Sequence, residues 1–131
     1  MTTPAFTNPP ALVPPVGPYS HVSRVGDLVY LAGQTGIDAS GAPVGTDVAS
    51  QAAQAMENVR LALESQGLGL ANIMKLTTYV AGSEELPGII EYFDEAFRRL
   101  FPGGCPPNTL LAVQQLVVPE LRVEIEAIAH A

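Results

Sequence analysis

Apolar and polar positions alternate without a break over residues 121–129. Leu121, Val123, Ile125, Ala127 and Ala129 fall on one face of an extended chain, and Arg122, Glu124, Glu126 and Ile128 fall on the other. A period of two held over nine residues is the signature of a strand with unlike faces. The unbroken apolar face belongs against a core. Side chains two apart on one strand face are only about 6.5–7 Å apart, so the other face gathers two carboxylates and a guanidinium. Such a face is either solvated or a site.

The same reasoning carries through the rest of the chain. Residues 19–25 and 28–34 read as strands separated by Gly26-Asp27, a two-residue loop that suits a type II′ hairpin. Leu28-Val29-Tyr30-Leu31 is apolar on both sides, which predicts a strand buried on both faces. Gly33 follows at the strand end, where backbone can approach a ligand closely. The period then changes to three and four. Ala49, Ala52, Met56, Val59 and Leu63 form one stripe of a helix capped by Thr46 or Asp47 and stopped by Gly67.

Residues 73–80 read as a third strand. Leu86, Ile90, Phe93, Phe97 and Leu100 mark a second helix, with Ser83 as its cap, Glu84 and Glu85 at its positive end and Pro87 in its first turn. Gly103-Gly104 and Pro106-Pro107 end it, and a strand over 109–116 precedes the last one. Residues 1–18 carry Pro4, Pro9, Pro10, Pro14, Pro15 and Pro18. This arm cannot be helical, and it can pair only at a sheet edge. The order ββαβαββ predicts one α+β domain over residues 1–131, a sheet with both helices on one face. Two helices leave the other face uncovered, and a second copy of the chain is the simplest cover.

Composition narrows the function. At 131 residues and 47% hydrophobic, the chain is long and apolar enough for one core. No apolar run approaches the roughly 18 residues of a membrane span, and residues 1–6 lack the features of a secretory leader. One cysteine, Cys105, allows no intrachain disulfide, so a reducing, cytoplasmic setting is expected. A net charge of −7 with only six basic residues argues against a nucleic-acid partner. His21, His130 and Cys105 stand at no metal-ligand spacing, so neither a metal nor another cofactor is expected.

Few residues remain for chemistry. Cys105, in a turn after a helix C-terminus, reads as an inert thiol. His21 and His130 read as surface residues. Tyr19 either packs on the arm or walls a cleft. Glu124 and Glu126 either belong to a solvated face, with an Arg122–Glu124 ion pair worth under about 1 kcal/mol, or form a site that holds a water or a proton at an oligomer interface.

Four segments in order resemble the YjgF–RidA family of reactive-intermediate or imine deaminases. Gly17-Pro18-Tyr19-Ser20 resembles its G-P-Y-S element and Ala32-Gly33-Gln34 its S-G-Q. Residues 51–67 resemble its first helix, and Pro119-Glu120-Leu121 onward resembles P-E-x-L-V-E-I-E-A-I-A. The resemblance covers nearly the whole chain. It implies a chorismate-mutase-like fold and a homotrimer around a central β-barrel, with clefts for a small organic ligand between subunits. It further implies that Glu124 positions an attacking water and that Tyr19, Gly33, Thr109 and Leu110 help to form the cleft. The arginine of the family's P-x-R-[ST] element, which grips a substrate carboxylate, falls at Asn108, and the serine of S-G-Q falls at Ala32. Asn offers no charged fork, and a charge-assisted hydrogen bond is worth roughly 1.5–3 kcal/mol. An imine acid should therefore bind poorly. The resemblance leaves a second possibility, a non-catalytic binding or chaperone-like trimer. RNA cleavage, attributed to some relatives, fits the acidic balance badly.

Overall fold

The hairpin forms around Gly26. In the computed structural model, which describes residues 3–131, β2 (Val22–Val25) pairs antiparallel with β3 (Leu28–Leu31). Gly26 has φ +57° and, among the described residues, no non-glycine residue has positive φ, the signs of a type II′ turn. The arm contributes β1 (Ala5–Thr7) to the free edge of β2. A short strand, β4 (Gln34–Thr35), follows β3. Then come α1 (Val48–Glu64), β5 (Ile73–Ala81), α2 (Leu86–Leu100), β6 (Asn108–Val113) and β7 (Val123–His130). The sheet runs β1-β2-β3-β7-β5-β6, with β4 also on β7. It is mixed, because β5 and β6 are parallel and every other pairing is antiparallel.

The alternation of the last strand is realised. Val123, Ile125, Ala127 and Ala129 are buried, while Glu124, Glu126 and Ile128 on the other face are half-buried. Fully burying a valine or isoleucine contributes about 1.5–3 kcal/mol relative to exposure, so this row pins the register of β7. Helix α1 lies over it through Ala52, Ala55, Met56, Val59, Ala62 and Leu63, and the three alanines let the helix sit close. Asp47 is the cap, its carboxylate accepting from Ser50 N at 2.9 Å. Helix α2 joins the same core through Ile89 and Phe97, with Phe93 and Phe97 rings 4.4 Å apart.

Several expectations are corrected. Leu28 and Tyr30 are 40% and 51% exposed, so β3 is buried on one face only. Ser83 does not cap α2; a 3-10 turn over Ser83–Glu85 follows Gly82, and the helix begins at Leu86 without a side-chain cap. Pro87 does stand in its first turn. The α2 stripe uses Ile89 rather than Ile90, which is 49% exposed. Val48 is buried in place of Ala49. The strand expected over 109–116 ends at Val113.

Gln51, on α1 and fully buried, ties the helix to the chain entering β7. Its Oε1 accepts from Arg122 N at 2.6 Å, and its Nε2 donates to Glu120 O at 3.0 Å. Gln51→Leu keeps the volume but strands both backbone groups. It should cost about 1–3 kcal/mol, read in urea as a lower midpoint at unchanged slope.

Candidate functional site

The two short strands on one edge of β7 do not share a register. Tyr30 pairs with Ile128 and Gln34 with Ile125, so four steps on one strand oppose three on the other. The extra residue is a bulge at residues 31–33, a device common beside active sites. It presents the Gly33 backbone to the polar face of β7. A Cβ built on Gly33 would stand 2.7 Å from Glu124 Cδ and closer still to Oε2. With Glu124 in this conformation, only glycine leaves room for its carboxyl here; any Cβ would force the carboxyl to rotate away.

That carboxyl lines a cavity of about 430 Å³ whose walls include Leu12, Val16, Tyr19, Ile37, Val118 and Leu121. Burial raises the proton affinity of Glu124 above the ordinary carboxylate range, and the nearby Glu126 charge adds to the effect. Glu126 is itself held by Tyr79, whose hydroxyl donates to Oε1 at 2.5 Å. That hydrogen bond is the main cause of the raised Tyr79 pKa. Tyr79 lies directly across from Glu124 in the β5–β7 register, so its reach to Glu126 is diagonal.

Other expected residues fall as follows. Tyr19 and Gly33 line the same cavity as Glu124. Asn108, Thr109 and Leu110 lie on β6, with β5 between them and β7. Asn108 pairs with Leu76, whose β7 partner is the core-facing Ala127, whereas Glu124 aligns with Tyr79 and Leu111. Asn108 and Glu124 therefore occupy opposite faces of the sheet within one chain. Asn108 Oδ1 accepts from Thr78 Oγ1 at 3.0 Å. Thr109 Oγ1 is bonded to Lys75 Nζ at 2.6 Å, and Leu110 packs against the core.

Two readings of single residues are overturned. Arg122 pairs with Glu85 at 3.4 Å and also donates to Pro119 O; it does not pair with Glu124. His21 is not a surface residue but is only 6% exposed. Its Nε2 lies 2.7 Å from Val13 O, and its Nδ1 lies 3.2 Å from Gln34 Nε2. A neutral ring protonated at Nε2 satisfies both contacts. It ties the arm to the bulge and so closes one wall of the cavity. Among the described residues, no group of three or more His, Cys, Asp or Glu is placed to hold a metal.

A mixed sheet with two helices, and a carboxylate-lined cavity beside a bulged glycine, defines an α+β domain. Residues 10–131 match the family described as Endoribonuclease L-PSP. A RutC family protein of Pyrococcus horikoshii is 31% identical over 117 residues, spanning 88% of this chain and 89% of the relative. A human 2-iminobutanoate/2-iminopropanoate deaminase is 33% identical over 116 residues, spanning 87% and 80%. The crystal structure of the E. coli YjgF gene product superposes with a TM-score of 0.86 at 27% identity, covering 96% and 98%. E. coli TdcF with bound serine gives 0.86 at 25% identity, covering 97% and 98%. The chain belongs to the YjgF–RidA family.

The raised proton affinity of Glu124 sets a pH dependence. In the window from its unfolded pKa up to its folded one, the folded chain holds more protons, so stability falls as pH rises through that window. Glu124→Gln removes the buried charge. The variant should be more stable than the parent at neutral pH and lose that advantage toward acid, as read from urea midpoints across pH 3–8 (about the span around the carboxylate range).

Proposed function

We propose that the chain forms a homotrimer with a small-molecule site at each subunit interface, and that the site hydrolyses an imine, or its enamine tautomer, to a carbonyl compound and ammonia. The observation that carries this reading is the Glu124 carboxylate, half-buried against the Gly33 backbone in an apolar cavity. Assembly is supported by Leu28, Tyr30 and Leu111, which are 40–51% exposed on the sheet face away from the helices. An apolar face of this kind is covered well by another copy. The names of the human deaminase and of serine-bound TdcF support a small, amine-derived ligand. The charge of −7 supports a site that takes no nucleic acid.

In this mechanism Glu124 holds a water against the C=N carbon. As the C–O bond forms, Glu124 accepts a water proton and the π pair moves to nitrogen. Glu124 then passes that proton to the nitrogen. The carbinolamine collapses when Glu124 takes its hydroxyl proton and delivers it to the amino nitrogen as the C–N bond breaks, releasing ammonia and the carbonyl product. A carboxylate with raised proton affinity suits both transfers near neutral pH. Tyr19 walls the cleft from the same protomer, and Thr109 of a neighbour's β6 would complete it across the interface; Leu110, packed on the core, supports β6 from behind. Asn108 takes the place of the family arginine. Its Oδ1 is already engaged by Thr78, and this favours a second reading in which the trimer binds a ligand without turning it over.

Two measurements test this. Light scattering should give three times the 13.7 kDa chain mass; a monomer mass at micromolar concentration would overturn the interface site. Asn108→Arg restores a fork for a carboxylate and should raise kcat/KM on 2-iminobutanoate by about thirtyfold, equivalent to about 2 kcal/mol. Adding Glu124→Ala should then abolish the activity. A correctly assembled Asn108→Arg trimer that gains nothing would transfer support to the binding reading.

A further inference from the structure

No cationic side chain of the same protomer lines the cavity beside Glu124. Among the described residues that line it, Glu124 alone bears a full charge, and both ring nitrogens of His21 are already engaged. The chain has six basic residues, and each is directed elsewhere. Arg24 bonds Gly26 O and Gln66 O. Arg60 bridges Glu57 and Glu64. Lys75 holds Leu76 O and Thr109. Arg98 faces Asp94, and Arg122 serves Glu85 and Pro119 O. Arg99 lines a separate groove between α1 and α2.

An anion entering this cavity would lose water and meet the repulsion of Glu124, with no cationic side chain from the same protomer to pair with. A cation would gain a half-buried carboxylate beside the Tyr19 ring. Much of the remaining wall is aliphatic, including Leu12, Val16, Ile37, Val118 and Leu121, and would take an apolar substituent.

We propose that the ligand class of this site is the cationic iminium of a carboxylate-free primary amine, R–CH=NH2+, with R an alkyl or aryl group. The proposal rests on the deaminating reading for its chemistry but not for its ligand preference. The step is R–CH=NH2+ plus water giving R–CHO plus NH4+, with no oxidant or reductant needed. The reaction that supplies such a substrate is the two-electron oxidation of a primary amine. The product is an aldehyde, so an aldehyde-consuming step follows. This departs from the imine acids named for the curated relatives, which carry a carboxylate.

The test compares two probes of equal shape and opposite charge on the full-length protein. Benzamidine has a planar C–NH2+ cation on a phenyl ring, and benzoate puts a carboxylate there. Isothermal titration should show benzamidine bound at least tenfold more tightly than benzoate. Glu124→Gln should remove that preference. Val117→Arg, at a cavity-lining position 88% exposed and therefore harmless to the core, should shift binding toward benzoate. Benzoate bound as well as benzamidine by the parent, or benzamidine binding unchanged in Glu124→Gln, would overturn the proposal. A second arm follows aldehyde release from the imine that a flavin-dependent amine oxidase makes from benzylamine. Charge preference without faster release supports the ligand class and overturns the deaminase reading. Faster release from 2-iminobutanoate but not from the benzylamine imine supports deamination and overturns the ligand class.

Discussion

The close approach of the Gly33 backbone to Glu124 depends on a register constraint on β7. This strand is hydrogen-bonded on both edges, to β3 and β4 on one side and β5 on the other. Its apolar row is locked into the core by α1, so it cannot slide by one residue without turning Glu124 inward. The extra residue between β3 and β4 must then be absorbed on the neighbouring strand. It is absorbed at residues 31–33, which contain the one residue type that leaves room for a carboxyl group.

The polar row of β7 concentrates charge that is not neutralised locally. Glu124 and Glu126 sit two residues apart on one face, and the guanidinium next in line, Arg122, is taken by Glu85. Glu126 is relieved by the Tyr79 hydroxyl. Glu124 has no such donor and bears the cost as raised proton affinity. Two chemically identical side chains on the same strand thus become different groups, one hydrogen-bonded and the other buried with raised proton affinity.

Much of this was legible in the sequence wherever the signal is local. The alternation of β7, the Gly26-Asp27 turn and the Asp47 cap all follow from spacing within a few residues. One member of the α2 stripe was misplaced by one position, because Ile89 and Ile90 are both apolar and only packing against the core selects between them, while Leu86, Phe93, Phe97 and Leu100 fall as read. His21 could not be read as buried, since its partners Val13 and Gln34 come from the crossing arm and from the strand beyond the next hairpin. The Gln51 clamp spans 71 residues to Arg122, a distance at which composition is silent. Glu124, Gly33 and Tyr19 were nominated from the sequence and meet at one cavity, whereas Asn108 lies on the other sheet face of its own chain.

That last separation limits what one chain can do. Residues on opposite faces of a single sheet cannot grip the same small molecule, so Asn108 can join the Glu124 cavity only through a neighbouring copy. A site divided in this way makes its specificity a property of the interface. Glu124, the bulge and the largely apolar wall are supplied by one protomer's own folding. In the proposed assembly, a group that recognises the far end of a ligand would come from the neighbour's β6. Substitution there can change ligand class without disturbing the hydrogen bonds of β7, on which the fold depends. Asn108 meets that condition: its hydrogen bond to Thr78 runs between β5 and β6 and leaves those of β7 untouched.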